Sequence, residues 1–185
     1  IKSFGRDRSG VAALEFAIIS PILILLFVGT IEVSLAVAVD RKVSRVSSAV
    51  ADLVTQHNSQ DLDQDFLQAM SNIADRIIYP YEDDMTIVLT GIEIDGSGIA
   101  TVAWSWASGG GTALAVGSSY TVPSSIVVND SYLLAAKVET DHEPAFSFIS
   151  YENGRFSLDD SVIELSEEMF LRPRMFASQT CSDCT

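Results

Sequence analysis

Cysteine is almost absent from this 185-residue chain: there are two, Cys181 and Cys184. Two thiols cannot staple a disulfide-rich scaffold, nor supply a four-cysteine zinc site. Basic residues are scarce as well, 11 Lys and Arg against 25 Asp and Glu, for a formal net charge of −14. Such a surface repels phosphate, which argues against nucleic acid as the main partner. Only two histidines occur, His57 and His142. Charged residues are 19% of the chain and hydrophobic ones 48%, too apolar for a disordered polymer. No G-x-S-x-G, phosphate loop, H-E-x-x-H or dinucleotide fingerprint is present. No catalytic residue, metal ligand or cofactor is therefore assigned, and the chain is expected not to be an enzyme. Its length suits about one domain.

What is present is unevenly spread. The first 45 residues hold six basic and four acidic residues; the remaining 140 hold five basic and 21 acidic. The run VAALEFAIISPILILLFVGTIEVSLAVAV, residues 11 to 39, carries only two charges, Glu15 and Glu32. As a helix its 29 residues would span roughly 43 Å, against a bilayer core of about 30 Å. One membrane crossing follows, with Arg41, Lys42 and Arg45 at the exit. Three basic residues flank each side, so the positive-inside rule does not orient the helix.

Three readings fit this segment: a plain signal anchor, a cleaved secretory signal, and one that explains the glutamates. A secretory signal would use Lys2, Arg6 and Arg8 and the Ala36-Val37-Ala38 site. Its apolar core would then be about 20 residues, beyond the usual ~7–15, and it would contain both acids. A carboxylate at the start of a lipid-embedded helix costs a few kcal/mol and needs a partner. A cut after Gly10 would supply one. Val11 would become a free, positively charged N-terminus one helical turn from Glu15, or from Glu15 of a neighbouring subunit, in a medium where charges attract strongly. The alternative is a lone Glu15 snorkelling to the headgroups. Pro21 removes one helical hydrogen bond and bends the rod, which a membrane helix tolerates. Glu32, about 25 Å further on, is expected to be a solvated acid at the outer interface.

The residues R-S-G-V-A-A-L-E-F-A, followed by Ile-Ile-Ser-Pro and an aliphatic run, resemble the N-terminus of TadE-like proteins, minor pilins or pseudopilins of the Tad (Flp) branch of type IV pilus systems. The resemblance is specific over about residues 6 to 35. It implies that a prepilin peptidase cuts between Gly10 and Val11. It further implies that Glu15, with Phe16 and Pro21 on matching positions, serves processing or assembly. The partners implied are other pilin and pseudopilin subunits, the prepilin peptidase, the inner-membrane assembly platform and membrane lipid. The alternative is an uncleaved single-pass periplasmic scaffold or binding protein.

Beyond the membrane, Val43, Val46, Val50, Leu53 and Val54 recur at helical spacing, with Ser44, Ser47, Ser48 and Asp52 opposite. A second helix is expected over 62–78, with Asp61 as its cap and Leu62, Phe66, Met70, Ile73 and Ile77 inward. Tyr79-Pro80 ends it. The period then turns to that of strands: 85–94, the turn Asp95-Gly96-Ser97-Gly98, a hairpin partner over 99–107, and further strands over 132–140 and 162–171. The expected fold class is α+β, a long N-terminal transmembrane helix packed on a small, mostly antiparallel sheet. Its parts are a basic leader (1–10), the helix with its amphipathic extension (11–57) and an acidic periplasmic domain (58–185). That layout is pilin-like.

The remaining polar clusters read as structural. Asp141-His142-Glu143 alternates across a strand and cannot converge on one ion. Asp61, Asp63 and Asp65 lack the glycine and terminal glutamate of a calcium loop and suit an acidic helix start. Gly109 to Gly111 lacks the Lys and Ser/Thr of a phosphate loop. Cys181 and Cys184 stand at the end of the given sequence rather than between a strand and a helix, so a disulfide closing the tail is expected, with a bond to a partner subunit as the alternative. An oxidising compartment would then hold the domain, giving a cytoplasmic N-terminus and a periplasmic C-terminal part. Leu171-Arg172-Pro173-Arg174 and the terminal cysteines also resemble TadE-like tails, where the run marks the exit from the final strand.

Overall fold

The computed structural model describes residues 9–81, 85–143, 149–152, 155–158 and 162–184. The expected leader, apart from Ser9 and Gly10, lies outside them. The elements are α1 (Ser9–Thr55), β1 (Asp61–Leu62), α2 (Gln64–Ile78), β2 (Thr86–Ile94), β3 (Ala100–Ser108), β4 (Ser131–His142), β5 (Ile149–Glu152), β6 (Arg155–Leu158), β7 (Ile163–Leu171) and β8 (Thr180–Cys181). The fold is α+β, with one long apolar helix and a four-stranded antiparallel sheet.

The chain forms two compact units. One comprises Ile1–Val37 and Pro144–Ser161 and contains the first part of α1 and the β5–β6 hairpin, paired from Ile149↔Leu158 to Glu152↔Arg155. The strands expected from the sequence do not include this hairpin, although Asn153-Gly154 between alternating apolar residues is a hairpin signal.

The other unit, Ala38–Glu143 with Val162–Thr185, holds the sheet in the order β3-β2-β4-β7. Asp95 makes the expected hairpin turn by accepting from the backbone N–H of Ser97 (2.8 Å) and Ile99 (2.9 Å), while Gly98 takes φ +80°, a conformation open chiefly to glycine. Between β2 and β3 the register steps: Gly91 faces Trp104, yet Ile92 faces Val102. Ala103 is the extra residue of a bulge, and a bulge exchanges the faces of the strand that carries it. Trp104 and Trp106 thereby join Ile87, Leu89, Leu134, Ala136 and Val138 in the core beneath the helices. Ala100 joins Ile92, Ile94, Leu133 and Ala135 in a smaller core on the other face, covered by Tyr120, Val122, Ile126 and Val127.

Within this unit the α1 stripe runs through Val39, Val43, Val46, Val50, Ala51 and Val54, all buried. Two expectations fail. Leu53 is 38% exposed and Ser47 is fully buried. A hydroxyl is tolerated there because Ser47 Oγ donates to the Ala136 carbonyl at 2.9 Å, directly tying helix to sheet.

The second helix starts later than its apolar pattern suggests. Asp63, not Asp61, is its N-cap, accepting from the Phe66 N–H at 2.7 Å. Leu62 belongs to β1, and the buried face is Leu67, Met70, Ser71, Ala74 and Ile78. Met70 is inward as expected and Phe66 and Ile77 are half-buried, whereas Ile73 is exposed. The cap lies two residues later than expected, and the inward set moves on by one position, from 66, 70, 73 and 77 to 67, 71, 74 and 78, about 100° around the wheel. Lys42 closes the other end of α2, its ammonium donating to the carbonyls of Ile78 and Tyr79 and lying 5.1 Å from the centre of the Tyr81 ring. A cation suits orphan carbonyls at a helix C-terminus.

Candidate functional site

The first candidate is the N-terminal half of α1. Its composition leaves little choice of structure: aliphatic residues bounded by few polar ones satisfy their backbone only as a helix when water is absent. The polar side chains that remain are handled locally. Thr30 Oγ1 donates to the Leu26 carbonyl and Ser34 Oγ to the Thr30 carbonyl, each at 2.7 Å. The helix runs unbroken through Pro21, which has no N–H to give the Ala17 carbonyl.

The helix from Gly10 is long and apolar enough to span a membrane; none of its most apolar 18-residue window, of mean hydropathy 2.6, is buried by protein. Apolar residues stand out on all sides, with Val11 55%, Phe16 68% and Leu25 69% exposed. Water would penalise that continuous surface heavily. Lipid or other apolar helices would not.

Gly10, Val11, Glu15 and Phe16 occupy the first two turns of this helix and Pro21 the fourth, all exposed. Gly10 has open space around it, with nothing within 4 Å of where a Cβ would stand. One charged group thus lies among exposed apolar ones near the helix start. The other acid departs from expectation. Glu32 is 3% exposed, so protein covers it, and it is not a solvated interfacial residue. Sequence spacing places it about 25 Å from Glu15 but cannot foresee that cover.

The second candidate is the C-terminal tail, within the sheet-bearing unit. Cys181 and Cys184 form a disulfide. Asp183 is close to both sulfurs, but the sulfurs are bonded to each other and offer no thiolate pair to a metal. Instead the loop is a fastening. Asp183 Oδ2 accepts from the Gln64 N–H at 3.1 Å, adding a carboxylate at the start of α2, where the helix dipole favours one. β8 pairs in parallel with β1, Asp61 opposite Thr180 and Leu62 opposite Cys181. Asp61 accepts from Thr180 Oγ1 (3.0 Å), Ser182 Oγ (2.9 Å) and the Ser182 N–H (3.2 Å). The hydroxyl bonds of Ser182 and Thr180 hold its carboxyl below the usual range.

Upstream, the tail closes the end of α1. The Arg174 N–H donates to the Thr55 carbonyl (3.1 Å) and Gln179 Nε2 to the Val54 carbonyl (2.8 Å). These are carbonyls that a helix end leaves without internal partners. Arg174 also pairs with Asp52 at 2.6 Å. Gln179 is 1% exposed, and its own carbonyl accepts from Trp104 Nε1 at 3.0 Å. Trp104 Nε1 also donates to the Tyr132 hydroxyl at 2.7 Å. Burial pushes the Tyr132 phenol well above its ordinary pKa. Gln179, Trp104 and Tyr132 carried no signal in the sequence. Only the bulge at Ala103 and the return of the tail bring them together.

His142 ends β4, next to Asp141 on the same strand, where successive side chains diverge.

Neither the curated proteins nor the solved structures gave a match to this chain. The family model described as TadE-like protein matches residues 10–52, the greater part of α1, from the expected cleavage glycine to the acid that pairs with Arg174. The exposed apolar helix with Glu15 near its start is therefore similar to TadE-like proteins over residues 10–52, a likeness that suggests involvement in a function related to the Tad pilus.

Proposed function

We propose that this chain is a non-enzymatic minor pilin-like subunit that takes part in assembling a Tad-type (type IVc) pilus. The helix is held in the inner membrane with its N-terminus on the cytoplasmic side, and the sheet-bearing unit lies in the periplasm. The observation that carries the reading is the exposed apolar surface of α1 coinciding with the TadE-like match, with Glu15 set in it. Such a helix has two uses, to sit in lipid and to pack against other helices of its kind. Glu15 makes the second specific. A carboxylate in lipid is stabilised by a cation, and the α-amine of a processed Val11, on the same or an adjacent subunit, is one of suitable size. The Cys181–Cys184 disulfide supports an oxidising compartment for the domain.

The test begins with the mature N-terminus from native membranes, by intact mass. Prepilin-type processing predicts a start at Val11; a start near Val39 would mean a secreted domain and end the proposal. Glu15→Gln should then abolish entry into pilus assemblies while leaving the chain in the membrane. Normal assembly by that variant would favour the uncut scaffold instead.

A further inference from the structure

The two edges of the sheet are treated differently. The β3 edge is covered along its first half by the chain itself: Thr101 bridges to Ser119, Val102 exchanges backbone bonds with Gly117 (2.8 Å) and Ser118 (2.9 Å), and Ala100 accepts from the Tyr120 N–H (3.0 Å). The β7 edge pairs with β4 alone, and among the described residues no strand lies on its other side. β7 is nine residues long, its register with β4 is unbroken, and it contains neither Lys nor Pro. Its charges are all acidic, Glu164, Glu167 and Glu168, which turn away apolar, acidic and self-pairing strands but not a basic one, and a long regular edge is a template for pairing. None of its nine residues is fully buried.

Both faces beside this edge have distinct chemistry. On the helix side, Leu165, Met169 and Leu171 only half-pack on the core, with Glu167 between the first two. Met169 and Leu171 border an open depression of about 580 Å³ with Ser44, Arg45, Ser48 and Ala49 of α1. On the opposite side the strand alternation presents Glu164, Ser166 and Glu168, of which Glu168 also accepts from the Tyr120 hydroxyl and Ser166 donates to Glu139 at 3.3 Å. A second copy is a poor occupant. Antiparallel self-pairing about the strand centre sets Glu167 against Glu167, and parallel in-register pairing sets all three glutamates against themselves, which is unfavourable.

We propose that β7 is a docking edge that receives an extended segment of another protein, with Lys or Arg at alternate positions and apolar residues between them. The N–H and C=O groups of β7 that point away from β4 would pair with its backbone. Its basic side chains would lie across from Glu164 and Glu168, and its apolar ones would enter the depression beside Ala49, Met169 and Leu171. This is strand addition, in which the backbone supplies affinity and alternate side chains supply choice. The net charge of −14 steers a basic partner to the surface. The inference does not rest on the pilus reading.

The test places a photoreactive residue on the full chain in native membranes, as Ser166→benzoylphenylalanine, with Leu53→benzoylphenylalanine on α1 as control. The expected result is an adduct at position 166 and not at 53, mapped by mass spectrometry to an extended, Lys/Arg-bearing segment of another protein. In E164K/E168K the adduct should fall about tenfold, since two attractive cross-strand pairs become repulsive. The milder E164Q/E168Q should fall less, and unchanged protease resistance of both variants separates lost docking from lost folding. If the charge-reversed variant loses that resistance, the neutral pair decides. An adduct to a second copy of this chain, an adduct indifferent to charge in both variants, or no adduct at 166 overturns the proposal. A mature N-terminus at any position leaves this outcome unaffected.

Discussion

Gly91 is the position at which a single methyl group should cost most. A Cβ there would stand 2.2 Å from the Tyr132 hydroxyl and 2.3 Å from Trp104 Nε1. These are the two ends of a buried hydrogen bond, between residues 5% and 3% exposed. Gly91→Ala must push them apart. Overpacking a core costs about 1–3 kcal/mol, and stranding a buried polar group about 1–3 kcal/mol more. Relief of glycine's unfolded-state entropy returns roughly 0.5–1 kcal/mol. The net loss is about 1–5 kcal/mol, a large part of the ~5–15 kcal/mol that holds a domain together. Y132F alone should cost about 1 kcal/mol, because Trp104 Nε1 keeps its bond to the Gln179 carbonyl. In the Y132F background the added methyl no longer meets a hydroxyl, so G91A should cost roughly 1 kcal/mol less than it does alone; the two effects are coupled. Urea unfolding of the chain in detergent micelles, followed by tryptophan fluorescence, reads this directly, since both tryptophans are in β3. Strict additivity, or a G91A variant within about 0.5 kcal/mol of the parent, would refute the crowding of Gly91 by this pair.

Three further predictions concern the tail and the buried phenol. Tyr132 has its pKa raised by burial, so above pH ~10, its ordinary value, the unfolded chain loses a proton that the folded chain keeps. The stability this group contributes is full below that pH and should decline as pH rises further. Y132F should flatten the alkaline limb of a stability–pH curve, and an unchanged limb would assign it elsewhere. Asp61→Asn should weaken the bonds to Thr180 and Ser182 and speed backbone hydrogen exchange at residues 180–182, with the sheet core unaffected. Because the Asp61 pKa is lowered, acid should reproduce that effect in the parent chain only below the normal carboxylate range. Cys181→Ser opens a four-residue loop, an effect of about 2 kcal/mol by loop-closure entropy. It should also loosen the Asp183 contact at Gln64, seen as faster exchange in the first turn of α2.

Much of this protein could be read from local pattern. An apolar run of 29 residues can only be a helix, and the glutamate five residues after a glycine marked its TadE-like character. Period-2 alternation and the Asp95–Gly98 turn located the first hairpin, because both signals act between residues close in the chain. What failed was phase. The apolar residues of α2 fit two inward faces, and the choice fell to Asp63, whose side chain caps the helix while Asp61 is taken by Ser182, 121 positions away. Ser47 looked solvent-facing until the Ala136 carbonyl reached it.

The sequence by itself determined the elements whose stabilising contacts are local: the membrane-length helix, the strands, their turn, and the acidic character of the domain. Tertiary structure alone decided the order β3-β2-β4-β7, the bulge that turns both tryptophans toward the helices, the cover over Glu32, and the tail that closes the end of α1. The reason is physical. Each of these depends on hydrogen bonds and burial between residues far apart in sequence, and no period along the chain encodes which distant partner will satisfy a given carbonyl or fill a given space.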